Sequence, residues 1–308
     1  ACYVECHPVT SVLSYQTTTT PKKDLLCGQH TKRDRLLPHE HYDRLPNPPK
    51  GPLLVAGVGN VLSNLRCVGF SRALCEPGSP PTLATVKEEQ PPGRPYHAIL
   101  CQGGQLTIDE FLPSGGGLEP PDPETGIDWI VSGTPVLWDC DQEELFNRMI
   151  TDAADHSHVW RLPRGSHAQA TTASKNQWTQ LQKTFTETLT ADRDTAANRL
   201  KELSDQFQLE RETRYLHSVW GVTDEHKLVI LVANGALETL GQRLGQMGCR
   251  RAICVENSGS SALYFVRDPA IRPWYPLVSA PNFRPEGTAF VFFHIPDEGF
   301  ETIDRLLW

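Results

Sequence analysis

No apolar run in this 308-residue chain approaches the ~18–20 residues that a membrane-spanning helix needs, so the expectation is a soluble protein. Positive charge is also short. Lys and Arg number 29 against 37 Asp and Glu, a formal balance of -8. A surface built to neutralise phosphates carries the opposite balance, so neither nucleic acid nor a membrane is expected as partner. The pairs Lys22-Lys23 and Arg250-Arg251 are too small to reverse it. A disulfide framework is missing as well, because the nine cysteines cannot all pair within one chain. Cys101 follows Ala98-Ile99-Leu100 and Cys254 follows Ala252-Ile253, settings that suit small buried hydrophobes. The N-terminus lacks the charged-then-apolar pattern of a signal peptide. Beginning at Ala1 fits loss of an initiator Met, although a cleaved secretion signal leaves the same start; the expected location is cytoplasmic.

What the chain does have is 25 prolines and 23 glycines, which predict long ordered loops within one large domain. Residues 1–50, with the Thr17–Thr20 tract and the exit Leu45-Pro46-Asn47-Pro48-Pro49, read as an arm or extended cover. The domain proper is then 51–308, opening with a buried strand at Gly51–Val58. His97–Cys101 and Gln105–Phe111 around Gly103-Gly104 predict a hairpin. Trp129–Trp138 reads as two apolar stretches about a turn at Ser132-Gly133-Thr134-Pro135, followed by a short helix over Asp141–Ile150. From Ser174 to about Arg211, Trp178, Leu181, Phe185, Leu189, Ala196, Leu200, Leu203 and Phe207 form one apolar stripe. This predicts a long helical insertion, packed on its own core or used for assembly. Leu228–Ala233, the helix marked by Leu237, Leu240, Leu244 and Met247, and the strand Arg251–Val255 form a β-α-β pattern. The expected fold class is α/β with a mixed sheet.

The second of those strands runs into the polar loop Glu256-Asn257-Ser258-Gly259-Ser260-Ser261, whose backbone can approach a ligand closely. The stretch Val219 to Val266 resembles the C-terminal core of phosphodiester glycosidases, over roughly a third of the chain if Trp129–Trp138 is counted with it. In that family a strand ends in Asp-Gly, a helix ends near Leu-Gly, and a strand enters an Asp-Gly-Gly-Gly-Ser loop. Here Asn234 replaces the first Asp, Glu256 the loop Asp, and Asn257 and Ser258 two glycines, while Gly259 and Ser260 are kept. His217-Ser218 stands where an Arg-Thr pair is usual.

The resemblance implies a hydrolase acting on a sugar linked through phosphate. Such a reaction needs a carboxylate for proton transfer and cationic or amide donors for the phosphate. Glu256 and His217 are then the catalytic candidates, with Arg214, Asn234, Asn257, Ser258, Gly259 and Ser260 binding substrate. The partner is a small sugar phosphate or glycoside, with no cofactor and no metal. The replaced residues leave a second expectation open: a non-catalytic member of the fold that binds a ligand or assembles as a homo-oligomer through the 174–211 helix or the N-terminal arm.

Three other constellations carry weaker chemistry. Cys2, Cys6 and His7 with Cys27 and His30 contain enough ligands for zinc, at loose spacing. His39-Glu40-His41 and His156-Ser157-His158 each put two imidazoles on one side of an extended chain. Gly57-Val58-Gly59 lacks the third glycine of a dinucleotide turn and reads as a tight turn.

Overall fold

The computed structural model describes residues 2–6, 13–15, 37–43, 52–57, 71–73, 96–102, 105–111, 127–151, 160–161, 210–211, 216–257, 261–281 and 289–293, with single residues elsewhere. Strands β1 (Cys2–Cys6) and β2 (Leu13–Tyr15) precede helix α1 (Pro38–Asp43). Then come β3 (Leu53–Gly57), β4 (Ser71–Ala73), β5 (Tyr96–Gln102), β6 (Gln105–Phe111), β7 (Ile127–Leu137) and helix α2 (Gln142–Thr151). The short strands β8 (Trp160–Arg161) and β9 (Glu210–Arg211) pair with each other. Next are β10 (Leu216–Thr223), β11 (Leu228–Asn234), helix α3 (Leu237–Gln246) and β12 (Cys249–Asn257). The last are β13 (Ala262–Val266), β14 (Pro276–Ser279) and β15 (Ala289–Phe293).

Among the described residues these strands form a large sheet, ordered β1-β11-β10-β12-β7-β5-β6 with β4 beside β7, and a smaller one ordered β14-β13-β3-β15-β2. The fold is α+β and dominated by sheet. Every pairing among the described strands is antiparallel, which corrects the expected mixed pairing. The β-α-β pattern is present, and β11 and β12 do run in the same direction. They are not neighbours, however, because β10 lies between them and pairs antiparallel with both.

The two sheets pack face to face. Trp220 of β10 is fully buried with its ring 5.5 Å from Phe290 and 5.7 Å from Phe292 of β15. Strand β3 shows how the small sheet is covered on both sides. Leu54 and Ala56 face the core between the sheets, while Leu53 and Val55 join a second cluster with Tyr42 of α1. On the far face of the large sheet lies α3, burying Leu237, Leu240, Gly241 and Leu244. The layers thus run α3, large sheet, small sheet, α1.

Two turn signals in the sequence belong to a strand. β7 continues through Ser132-Gly133-Thr134-Pro135, so the predicted turn there is corrected. A Cβ on Gly133 would lie 2.3 Å from the Cys254 carbonyl oxygen, so glycine is needed for close approach to β12. Pro135 sits where the β7–β12 ladder shifts register, a place where a missing N–H is tolerated.

The edge strand β6 is capped. The Leu106 carbonyl accepts a hydrogen bond from His226 Nδ1 at 3.0 Å, and the Ile108 carbonyl accepts one from Arg251 Nη1 at 2.9 Å. These contacts occupy the outward backbone of a strand that would otherwise invite another chain. The Arg251 guanidinium also lies 4.7 Å from the Trp138 ring, and its Nε donates to Asp139 at 2.9 Å.

The described parts of residues 1–50 close one edge of each sheet and cover the small one, as β1, β2 and α1. Tyr42 on α1 packs against Trp274, whose ring stacks 4.2 Å from the Arg272 guanidinium, and Arg272 pairs with Asp43 at 2.5 Å. The scattered residues described between 180 and 206 are each helical, and the Lys183–Glu187 pair stands at 3.7 Å, as expected one turn apart. The apolar stripe of the 174–211 segment lies outside the described residues.

Candidate functional site

Three neighbouring strands terminate together. β11 ends at Asn234, β12 ends at Asn257, and β10, running the other way between them, begins at Leu216. Leu216 pairs with Asn234, His217 with Ala233 on one side and Asn257 on the other, and Ser218 with Glu256. The candidate residues Asn234, His217, Glu256 and Asn257 are therefore gathered at one end of the large sheet.

A strand's side chains alternate between its faces, and this divides the four. Trp220 faces the small sheet, and its indole Nε1 donates to the Ser218 hydroxyl at 3.0 Å, so Ser218 and Leu216 share that face. Their register partners Glu256 and Asn234 do too. His217 and its partner Asn257 lie on the opposite face, the one covered by α3. A bulge sets this division. Val219 pairs with Cys254 and Ser218 with Glu256, leaving Val255 as an extra residue on β12. Without it Glu256 would stand opposite His217 and take the other face.

Burial follows the same division. Asn234 is exposed and Glu256 and Asn257 are half-buried, whereas His217 is completely enclosed. Glu256 and His217, paired in the sequence reading as the catalytic residues, do not converge, because they sit on opposite faces and only one reaches the surface. The Glu256 side chain turns back on its own strand end, where Oε1 accepts a hydrogen bond from the Asn257 N–H at 2.7 Å. This holds the carboxylate at the rim with its second oxygen as a further acceptor. Beneath it the Cys254 thiol donates to the Glu256 carbonyl at 3.4 Å. Burial pushes the Cys254 thiol far above its ordinary value and the Glu256 charge adds to this. Cys254 is thus a neutral packing residue.

On the α3 face, the helix starts just past Asn234. Ala236 at its N-cap has extended backbone and supplies no side-chain cap. Arg214, Ser258, Gly259 and Ser260 lie outside the described residues.

One residue that the sequence did not single out belongs here. Ser261 is fully buried, and its hydroxyl donates to the Leu216 carbonyl at 3.1 Å. It stood at the end of the polar loop, but a serine among serines gives no sign that it is enclosed.

The other candidates fare as follows. His39-Glu40-His41 lies in helix α1, so the extended backbone that the expected shared side requires is not present there. Glu40 accepts a hydrogen bond from the Leu37 N–H at 2.6 Å, and the His39 ring lies 6.3 Å from that of Trp274. Cys2 and Cys6 belong to β1, and the remaining zinc candidates lie outside the described residues, as do His156 and His158. Among the described residues no group of three or more His, Cys, Asp or Glu could hold a metal ion. Gly57 ends β3. No described helix is long and apolar enough to cross a membrane.

No protein-family model matches the sequence, and no curated protein matches it. Among solved structures, the chain is similar to the catalytic domain of zebrafish N-acetylglucosamine-1-phosphodiester alpha-N-acetylglucosaminidase, auto-inhibited by pro-peptide. That likeness has 11% identity and a TM-score of 0.45, over 93% of this chain and 72% of that one. A hypothetical protein from Synechocystis is similar at 10% identity and a TM-score of 0.27, over 94% of this chain and 56% of that one. A protein from Burkholderia pseudomallei K96243 is similar at 9% identity and 0.30, over 94% and 70%. The functional reading therefore rests on the residues at the strand ends.

Proposed function

We propose that this chain is a hydrolase of the phosphodiester glycosidase type, cleaving a sugar linked through phosphate. The observation that carries the reading is the placement of Asn234 and Glu256 on one face at the ends of β11 and β12, the two strands that flank β10, with the Glu256 carboxylate at the rim. On this reading residues 51–308 are one domain with a helical insertion near 174–211, and residues 1–50 cover it.

Glu256 is the acid that protonates the leaving oxygen, and as carboxylate it takes the proton back from water. The carboxamide of Asn234, on the same face as Glu256, donates to hydroxyl or phosphate oxygens, as do the amides of Ser258, Gly259 and Ser260; Asn257 holds the Glu256 carboxylate through its N–H, and Arg214 supplies positive charge. His217, enclosed at the first β10–β12 pair, supports Asn257 from within.

The test uses an N-acetylglucosaminyl phosphodiester and other sugar 1-phosphodiesters, with release of free sugar as the readout. Glu256→Gln should lower turnover by about 10²–10⁴-fold with the melting temperature unchanged. Full activity in that variant would remove Glu256 from the chemistry.

A second reading is favoured by one specific observation, the separation of Glu256 and His217 onto opposite faces. It takes the chain as a non-catalytic member of the fold that binds a sugar phosphate or assembles with copies of itself. Saturable binding without turnover, lost in Asn234→Ala, supports this alternative.

A further inference from the structure

The chain leaves the large sheet at Asn257 and enters the small sheet at Ala262, directly beside the strand ends described above. What fixes this crossover is visible at Ser261. His217↔Asn257 is the last pair of the β10–β12 ladder, so Leu216 stands one residue beyond the reach of β12. The Ser261 hydroxyl donates to the Leu216 carbonyl at 3.1 Å, taking the place of the ladder bond that β12 no longer provides. The Ser261 carbonyl in turn accepts a hydrogen bond from the Ala280 N–H at 3.2 Å, next to the Ala262↔Ser279 pair of the small sheet. Ser261 is completely buried, so water does not compete for either bond.

We infer that Ser261 is a positioning residue for the proposed site: it pins the crossover between the two sheets to the first residue of β10 and thereby holds Glu256 and Asn257 at the rim. The inference rests on the hydrolase reading for its functional meaning, and on the geometry alone for the pin itself. Asn257 is tied on one side to His217 through the ladder and on the other to the Glu256 carboxylate through its N–H. Only three residues separate Asn257 from Ser261, so slack at Ser261 is transmitted to Asn257 within a very short length of chain. Removing the hydroxyl leaves the buried Leu216 carbonyl without its donor, and the crossover moves to satisfy it. No contact between Ser261 and substrate is required.

The experiment compares the wild-type chain with Ser261→Ala and Ser261→Thr, reading amide hydrogen exchange at His217 and Asn257 and turnover of the same sugar phosphodiesters. In Ser261→Ala both amides should exchange at least about tenfold faster, and in Ser261→Thr, which keeps the hydroxyl, protection should return. Turnover should fall in Ser261→Ala through kcat with KM little changed, and recover in Ser261→Thr. Unchanged exchange in Ser261→Ala overturns the inference, whatever the activity. Faster exchange restored by threonine, in a chain whose wild-type form hydrolyses nothing, upholds the pin and removes the hydrolase reading instead. Should Ser261→Ala not fold, Ser261→Cys keeps the size with a weaker donor, and protection equal to wild type there also overturns it.

Discussion

Two glycines on α3, one turn apart, should respond to the same substitution in opposite directions. An added Cβ at Gly241 would lie 1.8 Å from the Val136 carbonyl oxygen and 2.6 Å from its carbon. Both are backbone atoms of β7, and ordinary contact begins at 3.4 Å, so helix and strand must separate by about 1.6 Å. Val136 is the extra residue where the β7–β12 ladder shifts, between the Ala252↔Leu137 and Ile253↔Pro135 pairs. It is therefore held from both sides and cannot retreat cheaply. Overpacking of this kind costs about 1–3 kcal/mol, and a forced backbone shift belongs at the upper end. Alanine regains about 1 kcal/mol of helix propensity. The net loss for Gly241→Ala is about 2 kcal/mol, or on the order of 5 °C in melting temperature. At Gly245 the added Cβ meets only Leu137 side-chain carbons, at 3.7 and 3.8 Å. There the propensity gain stands unopposed, and Gly245→Ala should raise the melting temperature by about 2 °C. Thermal and urea unfolding of both variants check this. A Gly241→Ala chain as stable as wild type would refute the close seating of α3 on β7, and equal losses in both variants would refute the assignment of the cost to Val136.

Cys254 predicts an alkaline loss of stability. Its thiol is held neutral by burial, so its folded value is raised above the ordinary 9.0; the stabilisation is complete below that value and is lost as pH climbs above it, because the unfolded chain then releases the proton first. The unfolding free energy from urea titrations should fall by up to about 1.4 kcal/mol per pH unit above pH 9, and Cys254→Ala should remove that share of the slope. At the small sheet, Arg272→Ala should cost about 1 kcal/mol and speed amide exchange in α1, since the guanidinium lies against both Trp274 and Tyr42 and pairs with Asp43. Arg272→Lys should restore little, because an ammonium lacks the planar face that stacks, and full recovery would point to charge alone.

The hairpin β5–β6, helix α2 and the β11-α3-β12 unit were legible because each is set by short-range pattern: alternation, a helical stripe, and a glycine at a helix end. Gly248, with φ +87, closes α3 just past Met247, the last of the residues that mark the helix in the sequence. β7 was misread as two pieces, since Gly133 and Pro135 answer to strands far away in the chain rather than to a local turn. The insertion of β10 between β11 and β12 leaves no local trace either, because antiparallel neighbours and parallel next-neighbours produce the same apolar runs. At the candidate site, the residue types and their clustering at strand ends could be read from the loop sequence. Their division between two faces could not, as it turns on the single extra residue Val255, and a bulge has no composition of its own.

One consequence concerns the order in which the molecule is completed. β1 and β2 come from one short stretch, yet Cys2 pairs with Val232 on the large sheet and Tyr15 with Ala289 on the small one. Both closures span most of the chain, so their entropy cost is repaid only after the partners have folded, and high contact order makes them late. The first residues therefore act as a seam sewn at the end, joining two already formed sheets along their outer strands. A chain whose seam has opened offers two strand edges at once, the outward backbones of β11 and β15.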